Sequence, residues 1–242
     1  MIGSTRHGRV LVLTLDRPER RNAVDRATLG ELEEAISGAA HDGVRVLVLT
    51  GAGGHFCSGA DLTDVDDEAF VATLGRVLAG LRDAPFPSIA AVEGFALGAG
   101  TQLAIACDLR MATVDAAFGV PAAKLGLMVD QWTVRRLVAL AGQSTARDVL
   151  LTTDQLSGDR AHALGLVHRI GAFADALAWA SRLADLAPLT LAGLKVGLNE
   201  ADAAVATTPA YAAAFDRAWA SADFAEGLRA FHEKRRPTFE GR

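Results

Sequence analysis

Cysteine is scarce in this chain: Cys57 and Cys107 are the only two in 242 residues. A disulfide framework is therefore excluded as the organising principle, and a reducing compartment is expected. No run of 18 apolar residues exists, so a transmembrane segment is not expected. The opening segment MIGSTRHGRV lacks an apolar signal core, and a cytoplasmic location is expected. Positive charge is short too: 24 Lys and Arg against 29 Asp and Glu give a formal net charge of −5. That argues against nonspecific nucleic-acid binding, although a local basic patch can still hold phosphates. The six histidines show no metal-ligand spacing, so no metal is expected. The acidic run Asp61, Asp64, Asp66, Asp67, Glu68 lacks the glycine spacing of a calcium loop and reads as a solvated helix start. No internal repeat and no low-complexity linker interrupts the chain.

What is present is a chain 50% hydrophobic, enough to bury a sizeable core. Residues 10–15 and 44–50 are apolar strands, the second (VRVLVLT) of the kind buried on both faces. Strands are also expected at 88–92 and 109–112, with one more short strand at 167–170. Asp25 can cap a helix running to about residue 40, with Leu29, Leu32 and Ile36 on one face. A second helix is expected at 67–82. Beyond residue 130 the pattern is mostly helical, with helices at 132–141, 144–151, 160–164, 174–186, 189–198, 209–220 and 223–234. The fold class is α/β, with a core over 1–186 and a helical extension over 187–242.

Two loops stand out. Each follows a buried strand and precedes a helix: 55–62 (HFCSGADL) and 94–101 (GFALGAGT). A glycine-rich turn entering a helix exposes backbone N–H groups without internal partners. If the two strands are neighbours, one N–H from each loop can converge on one oxygen and stabilise the charge of a developing enolate. The competing reading is that these glycines only make tight turns.

The pair FCSGADL and AVEGFALGAGTQLAIACDLRMA resembles the signature of the enoyl-CoA hydratase/isomerase family, the crotonase superfamily. The resemblance extends to LDRPERRNAV, LVLTGAGGHFCSGADL, FGVPAAKLGL, the W-x-x-R-R-L stretch at 132–137 and the basic end EKRRPTF. It implies a spiral of ββα units with a helical trimerisation region, and an acyl-coenzyme A thioester as ligand rather than a separate cofactor. It further implies that the thioester carbonyl is held by the N–H groups of Ala60 and Ala99. Glycine is usual in the family where this chain has Ala99, so the hole requires a negative φ there. Coenzyme A contacts are implied for Arg20, Arg21, Ala23, Ser58, Asp61, Leu62 and Lys234. Arg17, Arg235 and Arg236 are further arginines and candidates for its phosphates.

The chain departs from the hydratase pattern where the chemistry should be. By the resemblance, two glutamates add water across the double bond; their positions here hold Gln102 and Ala122. A carboxamide does not titrate near neutral pH, and a methyl group exchanges nothing. Asp130 stands where some family isomerases place an acid; it equally fits an N-cap of the following helix. Cys57 reads as a small buried thiol rather than a nucleophile, and His55 as a solvated loop residue. The combination of Gln102, Ala122 and Asp130 resembles a branch that carries long-chain acyl-CoA toward lipid synthesis. The expectation is an acyl-CoA carrier with poor or absent hydratase activity, assembled as a homotrimer or dimer of trimers. The alternatives are an active isomerase or hydratase using Asp130 or an ordered water, and an interaction protein that passes acyl-CoA to a lipid-synthesis enzyme.

Overall fold

The computed structural model describes residues 1–62, 68–202, 216 and 219–238. A six-stranded sheet forms its centre: β1 (Ile2–His7), β2 (Val10–Leu15), β3 (Val46–Gly51), β4 (Ser88–Val92), β6 (Leu109–Ala112) and β9 (Arg169–Ile170), side by side in that order. The β1–β2 pair is antiparallel and every other pairing in this sheet is parallel. A smaller sheet holds β5 (Phe95–Leu97), β7 (Ala117–Gly119) and β8 (Leu156–Ser157). Helices α1 (Arg26–Ala39), α2 (Glu68–Asp83), α3 (Ala99–Ala106), α4 (Gln131–Arg147), α5 (Gly158–Ala163), α6 (Phe173–Ala184), α7 (Pro188–Asp202) and α8 (Ala222–His232) complete the described elements. Among the described residues no helix is long and apolar enough to cross a membrane.

The unbroken apolar strands follow from burial on both faces. Leu11, Leu13 and Leu15 of β2 and Leu47 and Leu49 of β3 join the core under α1, α2 and α3. Their alternate neighbours Val10, Val12, Val46 and Val48 meet Ala176, Trp179, Ala180 and Ala184 of α6 on the other side. Side chains alternate along a strand, so two covered faces demand a continuous hydrophobic run. Asp25 caps α1 by accepting from the Thr28 N–H at 2.7 Å, as expected, and Leu29, Leu32 and Ile36 are buried.

Several elements escape a periodicity reading. Strand β1 has the sequence IGSTRH and is mostly exposed; pairing with β2 makes it a strand, not its own pattern. The segment expected as one glycine-punctuated turn after residue 92 contains β5, held by β7. The helices expected at 132–141 and 144–151 are separated by Gly142 at φ +80°, where α4 breaks before a π-helical turn over Asp148–Thr152. The helix expected at 209–220 falls almost entirely outside the described residues.

Two contacts seat the helical extension on the core. Buried Lys195 of α7 donates to the carbonyls of Leu81 and Phe86, each at 3.0 Å, and to Asp108 Oδ2 at 2.7 Å. Helix α8 folds back against the 3₁₀ turn Pro121–Leu125. There Gly227 lies so close to the Leu125 carbonyl that any Cβ would overlap it.

Candidate functional site

Strands β3 and β4 are parallel neighbours, so the loops that follow them leave the same end of the sheet. The loops are joined by backbone bonds. Cys57 N–H donates to Phe95 O at 2.7 Å, and Leu97 N–H donates to Cys57 O at 3.0 Å. Gly100 must be glycine, because a Cβ there would overlap the Cys57 carbonyl oxygen. Thr101 locks the third strand of the site: its hydroxyl oxygen sits 2.6 Å from Ala96 O and accepts from Gly119 N–H at 3.2 Å.

This zipper brings Ala60 and Ala99 onto the wall of one cavity of about 960 Å³. Ala60 is bridged to Val24, which donates to Gly59 O at 2.9 Å and accepts from Asp61 N–H at 2.8 Å. In such a bridge the intervening residue's own N–H points away from the partner strand, and Ala60 N–H has no acceptor among the described residues. Ala99 is the first residue of α3, where a helix N–H has no intrahelical partner. Gly98, not Ala99, takes the positive φ, at +52°. Alanine is therefore accommodated at 99 without strain.

The turn through the N-terminal segment forms a second wall. It is sewn to the loop after β3: Ser58 N–H donates to Arg21 O at 3.0 Å and Ser58 Oγ to Arg20 O at 3.2 Å. Arg20, Arg21, Ala23, Ser58, Asp61 and Leu62 all line the cavity. Arg20 and Arg21 are exposed, and the Arg21 guanidinium lies 5.6 Å above the Phe95 ring. Lys234 does not line the cavity within this chain; it is exposed, just past the end of α8. Arg17 and Arg235 are otherwise engaged. Arg17 bonds Asp25 at 2.9 Å and Asp61 at 3.0 Å. Arg235 bonds Glu226 through both terminal nitrogens, at 2.6 and 3.0 Å.

Gln102, Ala122 and Asp130 also line the cavity. The Gln102 Nε2 donates to Thr133 Oγ1 at 2.8 Å and to Asp130 Oδ1 at 3.4 Å. Asp130 caps α4, accepting from the Thr133 N–H at 3.3 Å and from its hydroxyl. It is thus both a cap and a cavity residue. Apolar side chains supply most of the remaining wall, among them Phe70, Leu74 and Leu78 of α2, Leu127, and Phe231 of α8.

Two expectations change. Asp61 is not part of a solvated acidic run: it is buried and paired with Arg17. His55 is not simply solvated. Its ring stacks on Phe95 at 4.8 Å, and Nδ1 accepts the Phe95 N–H at 3.3 Å. On α8, Phe224 and Leu228 pack on the core, while Phe231 is exposed and lines the cavity. The reading of Cys57 holds: burial pushes its thiol up to about 12, against weaker opposing bonds to the Gly59 and Val24 backbone. A thiol held protonated is a poor nucleophile.

Sequence reasoning passed over Asn22, Lys124 and Thr133. Asn22 is fully buried in the left-handed region, and its Nδ2 donates to Ala52 O at 2.8 Å while its Oδ1 accepts from Arg17 N–H at 2.9 Å. The signal was available: Asn is the side chain most at ease at positive φ in a turn. Nothing in the sequence pattern marks Thr133 as a partner for Gln102, 31 residues away.

Residues 5–242 match the model of the enoyl-CoA hydratase/isomerase family. A probable enoyl-CoA hydratase of Mycobacterium tuberculosis is 44% identical, with all of both chains covered. A 2,3-dehydroadipyl-CoA hydratase of Escherichia coli is 36% identical over 98% of each. Among solved structures, an enoyl-CoA hydratase/isomerase from Pseudoalteromonas atlantica superposes with TM-score 0.88 at 30% identity, covering 99% of each chain. A methylmalonyl-CoA decarboxylase in complex with 2-nitronate-propionyl-CoA reaches TM-score 0.93 at 21% identity, covering 100% of this chain and 98% of that one.

Proposed function

This chain belongs to the enoyl-CoA hydratase/isomerase family and has the crotonase fold, and from that premise we propose that it binds acyl-CoA thioesters without hydrating them at ordinary enzymatic rates. The observation that carries the reading is the contrast within one cavity. The N–H groups of Ala60 and Ala99 have no acceptor among the described residues, while the two positions for proton exchange hold Gln102 and Ala122.

The thioester carbonyl accepts from both N–H groups, which act as an oxyanion hole. Neither donor depends on a side chain, so binding survives the loss of acid–base groups. Coenzyme A lies along the turn carrying Arg20 and Arg21 and the loop carrying Ser58 and Leu62. The acyl chain occupies the apolar wall of α2 and Leu127. Hydration fails because neither Gln102 nor Ala122 can activate water and Asp130 Oδ1 is engaged by Thr133 and Gln102, and general acid–base catalysis is worth ~10²–10⁴-fold.

In this reading the protein is a cytoplasmic acyl-CoA carrier in lipid metabolism that delivers its cargo to a lipid-synthesis enzyme. It assembles as a homotrimer or a dimer of trimers. The exposed apolar residues Leu189, Leu194 and Leu198 of α7 support burial of that helix against another copy. The relatives' names support the ligand class: 2,3-dehydroadipyl-CoA and methylmalonyl-CoA are both coenzyme A thioesters. The test is a calorimetric titration with a long-chain acyl-CoA. Saturable binding is expected; no detectable binding of any acyl-CoA at high micromolar concentration would overturn the reading.

A further inference from the structure

The Gln102–Thr133–Asp130 network fixes which end of an amide the cavity meets. An ionised Asp130 carboxylate only accepts. Its Oδ1 takes the Thr133 N–H and the Thr133 hydroxyl. The hydroxyl's single proton is then spent, so Thr133 Oγ1 can only accept from Gln102. The carboxamide must therefore present its NH₂ to both Thr133 and Asp130. Its carbonyl oxygen points the other way.

That oxygen has no partner among the described residues. It is not sealed in either, because among the described residues Thr113 Oγ1 alone is a buried, unpartnered side-chain polar atom. Gln102 is 7% exposed and lines the cavity. Its Oε1 accordingly opens onto the cavity as an unanswered acceptor. Gln102 lies three residues after Ala99 on α3, the spacing that puts two side chains on one helix face about 5–6 Å apart. The negative charge of Asp130 stands behind the amide. The cationic groups of the lining, Arg20, Arg21 and Lys124, are exposed at the rim.

We propose that Gln102, held by Thr133 and Asp130, is a specificity-determining acceptor that selects acyl groups carrying a hydroxyl near the thioester and refuses acyl groups carrying a carboxylate there. The inference rests on the reading above, in which the thioester carbonyl sits at Ala60 and Ala99. A hydroxyl on the β carbon donates to Oε1 and leaves no buried group unpaired. A carboxylate brings only acceptors against an acceptor and Asp130, so its desolvation is not repaid.

The test uses three four-carbon thioesters: butyryl-CoA, β-hydroxybutyryl-CoA and succinyl-CoA, titrated calorimetrically into the full chain. β-Hydroxybutyryl-CoA should bind about three- to tenfold tighter than butyryl-CoA, and succinyl-CoA weaker than both, the scale of one net hydrogen bond. Gln102→Met should bring the hydroxyl preference to about onefold. Thr133→Val frees the amide to turn over, so it should narrow the hydroxyl preference and let succinyl-CoA gain. Equal binding of butyryl- and β-hydroxybutyryl-CoA, or a preference that persists in Gln102→Met, overturns this inference alone. Failure of all three thioesters to bind while a long-chain acyl-CoA still binds overturns this inference alone; failure of the long-chain acyl-CoA as well overturns the proposed function with it.

Discussion

The Arg17 guanidinium lies 3.0 Å from the Asp61 carboxylate, tying the N-terminal turn to the loop that carries Ala60. The same guanidinium reaches Asp25 at 2.9 Å and the Ala23 carbonyl at 2.8 Å. One partly buried cation thus ties together three segments around the N-terminal turn and the loop after β3. Arg17→Met should lower unfolding stability by about 1–3 kcal/mol, since it takes the cation away from two carboxylates, both partly or well buried. The pH dependence carries a sign. Burial would raise the Asp25 carboxyl, but the Thr28 hydrogen bonds and the Arg17 charge outweigh it, and the net shift is downward. A depressed carboxyl contributes stability above its ordinary value of about 3.9, and that stability is lost as pH falls further. Thermal unfolding followed from about pH 5 to about pH 3 should steepen in the wild type and flatten in Arg17→Met.

Arg20 and Arg21 face solvent at the rim instead of pairing inward as Arg17 does. Changing both to Ala should weaken acyl-CoA binding about tenfold or more, on the scale of two charge-assisted contacts. A pantetheine thioester lacks the adenosine phosphates and should lose little. Equal losses for both ligands would place the arginines' contribution elsewhere than at phosphate.

Gly227 of α8 tests the closure of the acyl end. A Cβ there would overlap the Leu125 carbonyl, so Gly227→Ala must lift the helix from the Pro121–Leu125 turn. Long-chain acyl-CoA binding should weaken about tenfold or more while butyryl-CoA changes little, because Phe231 and Leu127 line the cavity and belong to the apolar wall assigned above to the acyl chain. Equal weakening of both would show that α8 supports the whole site rather than the acyl end.

The core strands β2, β4 and β6 were legible in the sequence to the residue; β2 and β4 are largely apolar runs covered on both faces, whereas β6 carries the buried Arg110. The two loops of the cavity were legible from glycine placement and strand order, whereas Ala60 and Ala99 within them were singled out only by the resemblance to the family; the fold puts both on the cavity wall. Strand β1 was not legible, because its pairing with β2 is tertiary. Nor was the direction of Asp61: an acidic residue beside other acids looks solvated until Arg17 is brought 44 positions along the chain to meet it. Of the two readings of Asp130, the N-cap is seen directly, and the same residue also lines the cavity. Thr133 carried no signal, being an ordinary helix residue until α3 packs on α4.

Restoring the missing groups tests why hydration should fail. Gln102→Glu removes the donor that Asp130 and Thr133 share and sets a second carboxylate beside Asp130. Like charges at that range suppress ionisation of one partner. Gln102→Glu with Ala122→Glu should therefore gain little hydration until Asp130→Asn is added, which keeps the α4 cap and supplies a donor to the new glutamate. Neither glutamate should suffice alone, because the two act as a unit. A double variant as active as the triple would show that Asp130 does not oppose the chemistry.

The most direct measurement is turnover of crotonyl-CoA by the unmodified chain, followed as loss of the conjugated enoyl thioester, with binding of the same ligand measured in parallel. The account predicts saturable binding with hydration at least about a hundredfold below an ordinary enzymatic rate of ~10 s⁻¹. Hydration near ~10 s⁻¹ would contradict it, by showing that Gln102 and Ala122 do not stand where the acid–base chemistry takes place.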